Sequence, residues 1–343
     1  MNLCKTKNKK YVIYQDVVYD VEEYMPTHPG GPDLLEDEIG TNIEEKFEEA
    51  EHTKSARNIF KNLPVVGKMS GDESTSAGGK SDEKSEEEET QVTTGGATHQ
   101  DGGKLNSKFD FDYNKGLWWQ VMNTEWTYEE YYDYINDPKV LVNPIRNVRL
   151  FDSDFVELFT ITPWYLIPLV YIPVIYYYYT LVQDVGLSFL AYFALGLAHW
   201  TLAEYTIHRF LFHMEDFSYF PRWSKFYGLH FLFHGIHHAF PQDHYRLVFP
   251  PILGIPVLYA NLVLPAKYFL GEEHYAACVM GSMTMYIIYD MVHYWVHHAN
   301  PADGTYLKNI KLYHLQHHYK NGTMGFGVSV KLWDLVFNTA GDA

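Results

Sequence analysis

The sequence predicts a mainly α-helical integral membrane protein. It should have four transmembrane helices in two hairpins, a helical histidine-rich cap on the cytosolic side, and a small α+β domain at the N-terminus. Three observations predict this. The 343-residue chain is 47% hydrophobic and 17% aromatic, yet its mean hydropathy is slightly negative, so apolar and polar residues are segregated along it. Four apolar stretches fall in its second half, each near the ~20 residues an α-helix needs to cross a bilayer. Most of the 18 histidines gather in groups on one side of those stretches.

The first element in order is Tyr11–Tyr19, two β-branched and aromatic runs around Gln15-Asp16, which predicts a hairpin or meander. Short amphipathic pieces broken by Pro26, Pro29, Gly30, Gly31, Pro32 and Gly40 follow, so a small α+β domain should occupy residues 1–70. Lys5, Lys7, Lys9 and Lys10 precede no apolar segment, so the start does not read as a signal peptide. Residues 71–103 carry nearly half of the net charge of −17 and almost no large apolar side chain. Such a segment cannot offset chain entropy by burial, and 71–108 is expected to be a disordered acidic linker in which His99 is inert. Residues 109–343 form the membrane domain, with spans expected at about 159–182, 186–205, 247–270 and 275–294. Isolated strands cannot cross lipid, because every backbone amide there must be satisfied internally. The turns 183–185 and 271–274 carry Asp184, Glu272 and Glu273 and no basic residue. Arg146, Arg149, Arg209, Arg222, Lys225, Arg246, Lys308, Lys311, Lys320 and Lys331 lie on the other side, which puts both termini in the cytosol.

On that cytosolic side lie His208 and His213, then His234, His237 and His238, then His293 and His297, and finally His314, His317 and His318. Positions i, i+3 and i+4 of a helix share ~100° of arc, so each triplet aims its imidazoles at one place. His208 and His213, five apart, do not share a face in a regular α-helix and call for a helix end or a place between two ions. Neutral imidazole binds Zn, Fe, Cu and Ni, and these ten nitrogens exceed what one ion uses. They suit two ions with room for an exogenous ligand. His199, His230, His244, His274 and His298 are left outside the ligand set. Glu204 and Asp290, one turn before His208 and His293, are candidate acceptors for the second ring nitrogen of a ligand. The spacing does not select the metal, and an all-nitrogen site favours zinc over Fe(II), so a purified sample can hold zinc whatever the working ion. The acidic balance excludes a nucleic-acid binder. Two cysteines, Cys4 and Cys278, exclude a disulfide scaffold and a cysteine-based zinc or iron–sulfur site.

The segment Tyr19–Gly31, ending His28-Pro29-Gly30-Gly31, resembles the cytochrome b5 signature, and His52 follows His28 by 24 residues after an acidic stretch. Two histidines on separate short elements can clamp a haem iron from both faces, and six-coordinate iron transfers electrons rather than binding O2. An electron carrier tethered to a dimetal site implies redox chemistry, since zinc hydrolysis has no use for electrons. The chain as a whole resembles the fatty acid 2-hydroxylases of the fatty acid hydroxylase/sterol desaturase superfamily. The match runs through Glu204-Tyr-Thr-Ile-His208, His234-Gly-Ile-His237-His238 before Pro241-Gln-Asp243, Tyr313–Tyr319, Gly325-Phe-Gly-Val and Leu332–Phe337.

The resemblance implies haem b on His28 and His52, and two iron ions on His208, His213, His234, His237, His238, His293, His297, His314, His317 and His318. It also implies O2-dependent hydroxylation at C2 of long and very-long-chain acyl groups destined for ceramides and other sphingolipids. An NAD(P)H-dependent cytochrome b5 reductase would supply the electrons, and the protein would reside in the endoplasmic reticulum membrane. Metals at the cytosolic helix ends would meet the carboxyl end of a lipid acyl group before its middle. The rival readings are a sterol oxidase or desaturase of the same superfamily, and a membrane-anchored electron carrier whose histidines hold structural zinc.

Overall fold

The computed structural model describes residues 9–50, 52, 54–69, 109, 111–139 and 147–341. The expected linker at 71–108, with His99, and Arg146 lie outside the described residues. Near the N-terminus, β1 (Tyr11–Tyr14) and β2 (Val17–Asp20) pair antiparallel with Tyr14 opposite Val17. Gln15 and Asp16 both take positive φ, 50° and 60°, the backbone a two-residue hairpin needs to match strand twist. β3 (Val65–Lys68) adds to the far edge of β2, giving the order β1-β2-β3. Between β2 and β3 come α1 (Pro32–Glu36), α2 (Glu44–Glu49) and α3 (Lys54–Asn62). Val12, Tyr14, Val21, Ile43, Phe47 and Phe60 bury a core between sheet and helices.

The rest is helical. α4 (Leu117–Asn123) and α5 (Tyr128–Ile135) pack with α9 (Ser224–His230) and α10 (Ile236–Ala239) around Leu117, Val121, Tyr131, Phe231 and Ile236. A capping box starts α5, with Thr127 and Glu130 each satisfying the other's backbone amide. The short α6 (Asp154–Glu157) sets Glu157, whose carboxylate accepts from the amides of Leu150 and Phe151 and pairs with Arg246. The apolar helices are α7 (Leu166–Thr180), α8 (Leu187–Ile207), α11 (Pro251–Leu258) and α12 (Leu264–His298). α13 (Tyr306–Tyr319) and α14 (Leu332–Val336) close the chain.

Two apolar stretches differ from their expected bounds. The first is helical only over Leu166–Thr180. Thr162 precedes Pro163 and is pushed out of the helical region, and its amide instead donates to Tyr245 O at 2.9 Å. The third begins at Pro251, and beyond Pro256, which donates no amide hydrogen bond, it widens into a π-turn over Tyr259–Val263. The helical run then continues to His298, interrupted at Gly271, where φ is 71°. Among the described residues, Pro251–His298 is the helical run long and apolar enough to cross a membrane, and Leu166–Thr180 is apolar but shorter.

α8 and α12 cross at two glycines. A Cβ on Gly196 would lie 2.0 Å from Cys278 O, and one on Gly281 would lie 2.0 Å from Phe193 O. Their absence lets the backbones touch. Ser282 Oγ donates to Gly196 O at 2.9 Å and lies 2.8 Å from His199 Nδ1, so His199 ties the same crossing. This contact brings the ends of α8 and α12, which carry His208, His293 and His297, to one level.

Candidate metal centre

The ten imidazoles meet in two groups of five. His208, His213, His234, His238 and His317 form one; His237, His293, His297, His314 and His318 form the other. In each, the candidate ligand nitrogens all lie within 4.8 Å of one another, and all ten residues are buried. The expectation that each triplet meets at one place is corrected: the i, i+4 pairs His234/His238, His293/His297 and His314/His318 each enter one group, while the third members of the triplets, His237 and His317, enter the other. His208 and His213 meet by another device. Residues His208–Phe212 form a π-turn, with the His213 amide donating to His208 O at 3.0 Å, so positions five apart share a face. A second π-turn, Phe231–Gly235, leads into α10 and its two histidines.

The nitrogen spacings test whether ions fit. Nε2–Nε2 separations are 3.0 Å for His213–His317, His237–His293, His297–His314 and His314–His318. Two nitrogens bound at about 2.1 Å to one ion lie about 3.0 Å apart when the bonds meet near 90°, and about 3.4 Å apart at the tetrahedral angle. The separations fit ions of six positions, in which five imidazole nitrogens leave one place for an exogenous ligand. Burial first, and the neighbouring imidazoles second, hold His234, His237, His238, His314 and His318 well below the ordinary histidine range. They are therefore uncharged, as ligation requires. Nδ1 of His237, His297, His314 and His318 has no hydrogen-bond partner among the described residues.

In the first group the second ring nitrogens are fixed. His208 Nδ1 donates to Phe326 O at 2.6 Å, His317 Nδ1 to Met324 O at 2.7 Å, and His213 Nδ1 to Glu215 Oε1 at 3.0 Å. Each bond leaves Nε2 to face the group's centre. The expectation for Glu204 and Asp290 is corrected here. Glu204 accepts from the amides of Val328 (2.8 Å) and Ser329 (2.7 Å) and from the Ser329 hydroxyl, and so acts on the loop rather than on an imidazole. Asp290 lies beside Tyr286, and His293 Nδ1 has no hydrogen-bond partner among the described residues. Asp334, fully buried, takes the amides of Phe326 (3.0 Å) and Gly327 (2.7 Å). Two carboxylates thus hold the 324–329 strap whose carbonyls orient His208 and His317. The strap needs glycine at 327, where a Cβ would lie 2.1 Å from Val330 O.

Glu215 and His230 were also missed as partners of the cluster. His230 Nε2 donates to Phe212 O (2.7 Å) and lies 2.7 Å from Glu215 Oε2, and its Nδ1 lies 2.6 Å from the Tyr131 hydroxyl. Burial works against both charges, but the mutual attraction wins: Glu215 is held below the usual carboxylate range and His230 above its own. The other histidines set aside are also placed outside both groups. His274 stacks on Tyr192 at 4.2 Å, and His244 stacks on His298 at 3.8 Å.

In the N-terminal domain, the rings of His28 and His52 face each other with centroids 6.4 Å apart. Two bonds of about 2 Å to a shared ion plus the inner halves of two rings fill that gap. His28 Nδ1 donates to Gly31 O and His52 Nδ1 to Phe47 O, both at 2.9 Å, so the Nε2 atoms are the ones left to bind.

The family description cytochrome b5-like haem/steroid binding domain matches residues 2–70, and the description fatty acid hydroxylase matches residues 193–339. Rattus norvegicus fatty acid 2-hydroxylase is 34% identical over 94% of this chain and 88% of its own length. The chain belongs to the fatty acid 2-hydroxylase family. The ceramide very long chain fatty acid hydroxylase of Saccharomyces cerevisiae is another relative, 31% identical over 97% of this chain and 91% of its own. A solved structure described as full-length scs7p with only the hydroxylase domain visible superposes with a TM-score of 0.63. It is 34% identical and covers 69% of this chain and 87% of that one. Both histidine groups of this family member fall inside the matched hydroxylase region, and His28 and His52 inside the matched cytochrome b5-like region.

Proposed function

We propose that the chain is an iron- and O2-dependent monooxygenase that hydroxylates C2 of long and very-long-chain fatty acyl groups destined for ceramides and other sphingolipids. The observation that carries the reading is the pair of buried, five-imidazole groups with near-right-angle spacings, in the same chain as a facing histidine pair. In this reading His208, His213, His234, His238 and His317 hold one iron. His237, His293, His297, His314 and His318 hold the other, and His28 and His52 are the axial ligands of haem b. The names of the rat and yeast relatives support C2 and the ceramide-bound very-long-chain acyl group. Haem and iron, when bound, supply stepwise reduction of O2 and attack on an unactivated C–H bond. The protein's part is to fix His208, His213 and His317 through their Nδ1 atoms and to keep water from the buried site. Electrons come from an NAD(P)H-dependent cytochrome b5 reductase.

The same reading has residues 1–70 as the haem domain, 71–108 as the linker and 109–343 as the hydroxylase domain. It has four membrane crossings in two hairpins: α7 with α8, and the two arms of the 251–298 run on either side of Gly271. Broad exposure of Leu169, Ile172, Leu187, Tyr268 and Phe269 supports lipid contact. Trp164 and Trp295, both part-exposed at the cap-side helix ends, suit the bilayer interface. Both termini face the cytosol, and the membrane is that of the endoplasmic reticulum. With the metals at the cap-side ends of α8 and α12, the carboxyl end of an acyl group reaches them first.

Mass spectrometry of sphingolipid acyl chains from cells grown under ¹⁸O2 tests the reading. Cells expressing the chain should accumulate 2-hydroxyacyl sphingolipids carrying one heavy oxygen, and His237→Ala should abolish them. An unchanged sphingolipid profile, or altered sterols in its place, would overturn it.

A further inference from the structure

We infer that the haem domain delivers electrons from a docked position on α13, with the His28 turn as the exit and an Asp33–Lys308 ion pair as the latch. The inference rests on the reading of the histidines as haem and metal ligands. Gly31, whose carbonyl receives the His28 Nδ1 hydrogen bond, has φ 110°, and a Cβ there would lie 2.8 Å from Asn300 Oδ1. The haem-side turn therefore abuts Asn300, three residues past His297. Two residues further on, Asp33 Oδ2 accepts from Lys308 Nζ at 2.7 Å. Lys308 is only 5% exposed, and lysine is almost never buried without a partner. Its other acid, Asp303, lies at 3.4 Å with its carboxylate in solvent. The N-terminal domain thus supplies the partner that makes burial of this lysine tolerable.

Lys308 and Lys311 sit in the first half of α13, and His314, His317 and His318 in the second. From Lys311 to His318 the helix rises about 10 Å. An electron leaving through His28 meets either Asn300, which leads by backbone to His297, or α13, which leads to His314 and His318. Both routes enter the second histidine group. One ion pair with a neighbouring amide holds the domain in register without fixing it permanently, so the haem can be released for reduction.

The test uses the full-length chain loaded with haem and metal. The variants are Lys308→Glu, Asp33→Lys and the double charge swap, each checked for unchanged haem spectrum and metal content. The readout is reoxidation of the dithionite-reduced haem by O2 with acyl substrate present. Each single variant should slow reoxidation roughly tenfold or more, as expected when a local effective concentration is lost, and the double swap should recover most of it. Wild-type rates in Lys308→Glu, or a double swap no faster than the singles, would overturn the latch. If metal-depleted wild type reoxidises as fast as the loaded chain, the oxygenase reading fails instead. Carbodiimide coupling then decides the latch alone: an Asp33–Lys308 amide in the peptide mass spectrum supports it, and its absence overturns it.

Discussion

The carboxylate of Glu215 touches His213 with one oxygen and His230 with the other. Removing its charge leaves the His213 Nδ1–H without its anionic acceptor and turns an amide N–H2 toward His230. Glu215→Gln should therefore weaken metal retention in the first group by about 10–100-fold, the range for lost outer-shell partners. Metal content after dialysis against a graded chelator series checks this, with the haem spectrum as an unaffected control; wild-type retention would contradict it. His52→Ala should abolish the low-spin haem spectrum, because His28 alone cannot complete the second axial position. Full haem incorporation with normal oxidised and reduced spectra in that variant would refute the pairing. The ten candidate ligands were legible because chemistry and period coincide in them. Their orienting partners were not, because two of the three contacts run to backbone carbonyls. Phe326 O and Met324 O carry no side-chain signal, and Glu204, chosen for its position one turn before His208, reaches amides 124 and 125 residues away.

Among the elements, the α8–α12 crossing determines whether the histidine-bearing ends stay level. Gly281→Val should force the helices apart, since its Cβ would meet Phe193 O at 2.0 Å. Overpacking of this kind costs about 1–3 kcal/mol or more, read as a lower midpoint for thermal unfolding in detergent. Gly67→Ala, with nothing within 4 Å of its added Cβ, is the control and should shift stability by about 0.5 kcal/mol at most. Equal midpoints for the two would contradict the crossing's importance. Helical period made the His234, His293 and His314 groups readable in sequence. The His208/His213 pair was readable only as an anomaly, because a π-turn is set by the packing around it rather than by a residue pattern. Helix ends near Pro163 and Pro251 were blurred for a related reason. Hydropathy runs continuously through them, while the missing proline amide and the crowding before it set where helix begins.

For the whole molecule, the proposed four crossings put the acidic turns on the face opposite the metal cluster. With Cys4 and Cys278 replaced by serine, Glu272→Cys should be shielded from a membrane-impermeant maleimide in sealed microsomes, and Lys331→Cys should be labelled. The reverse pattern would invert the topology. The central claim, that ten imidazoles from four stretches of chain hold two ions in separate five-nitrogen sites, is tested most directly by counting metal in purified full-length protein reconstituted anaerobically with Fe(II). The wild type should bind two ions per chain besides the haem iron, and His238→Ala and His318→Ala, one from each group, should each weaken a single ion. One ion or none in the wild type, or two ions undisturbed by both substitutions, would contradict it.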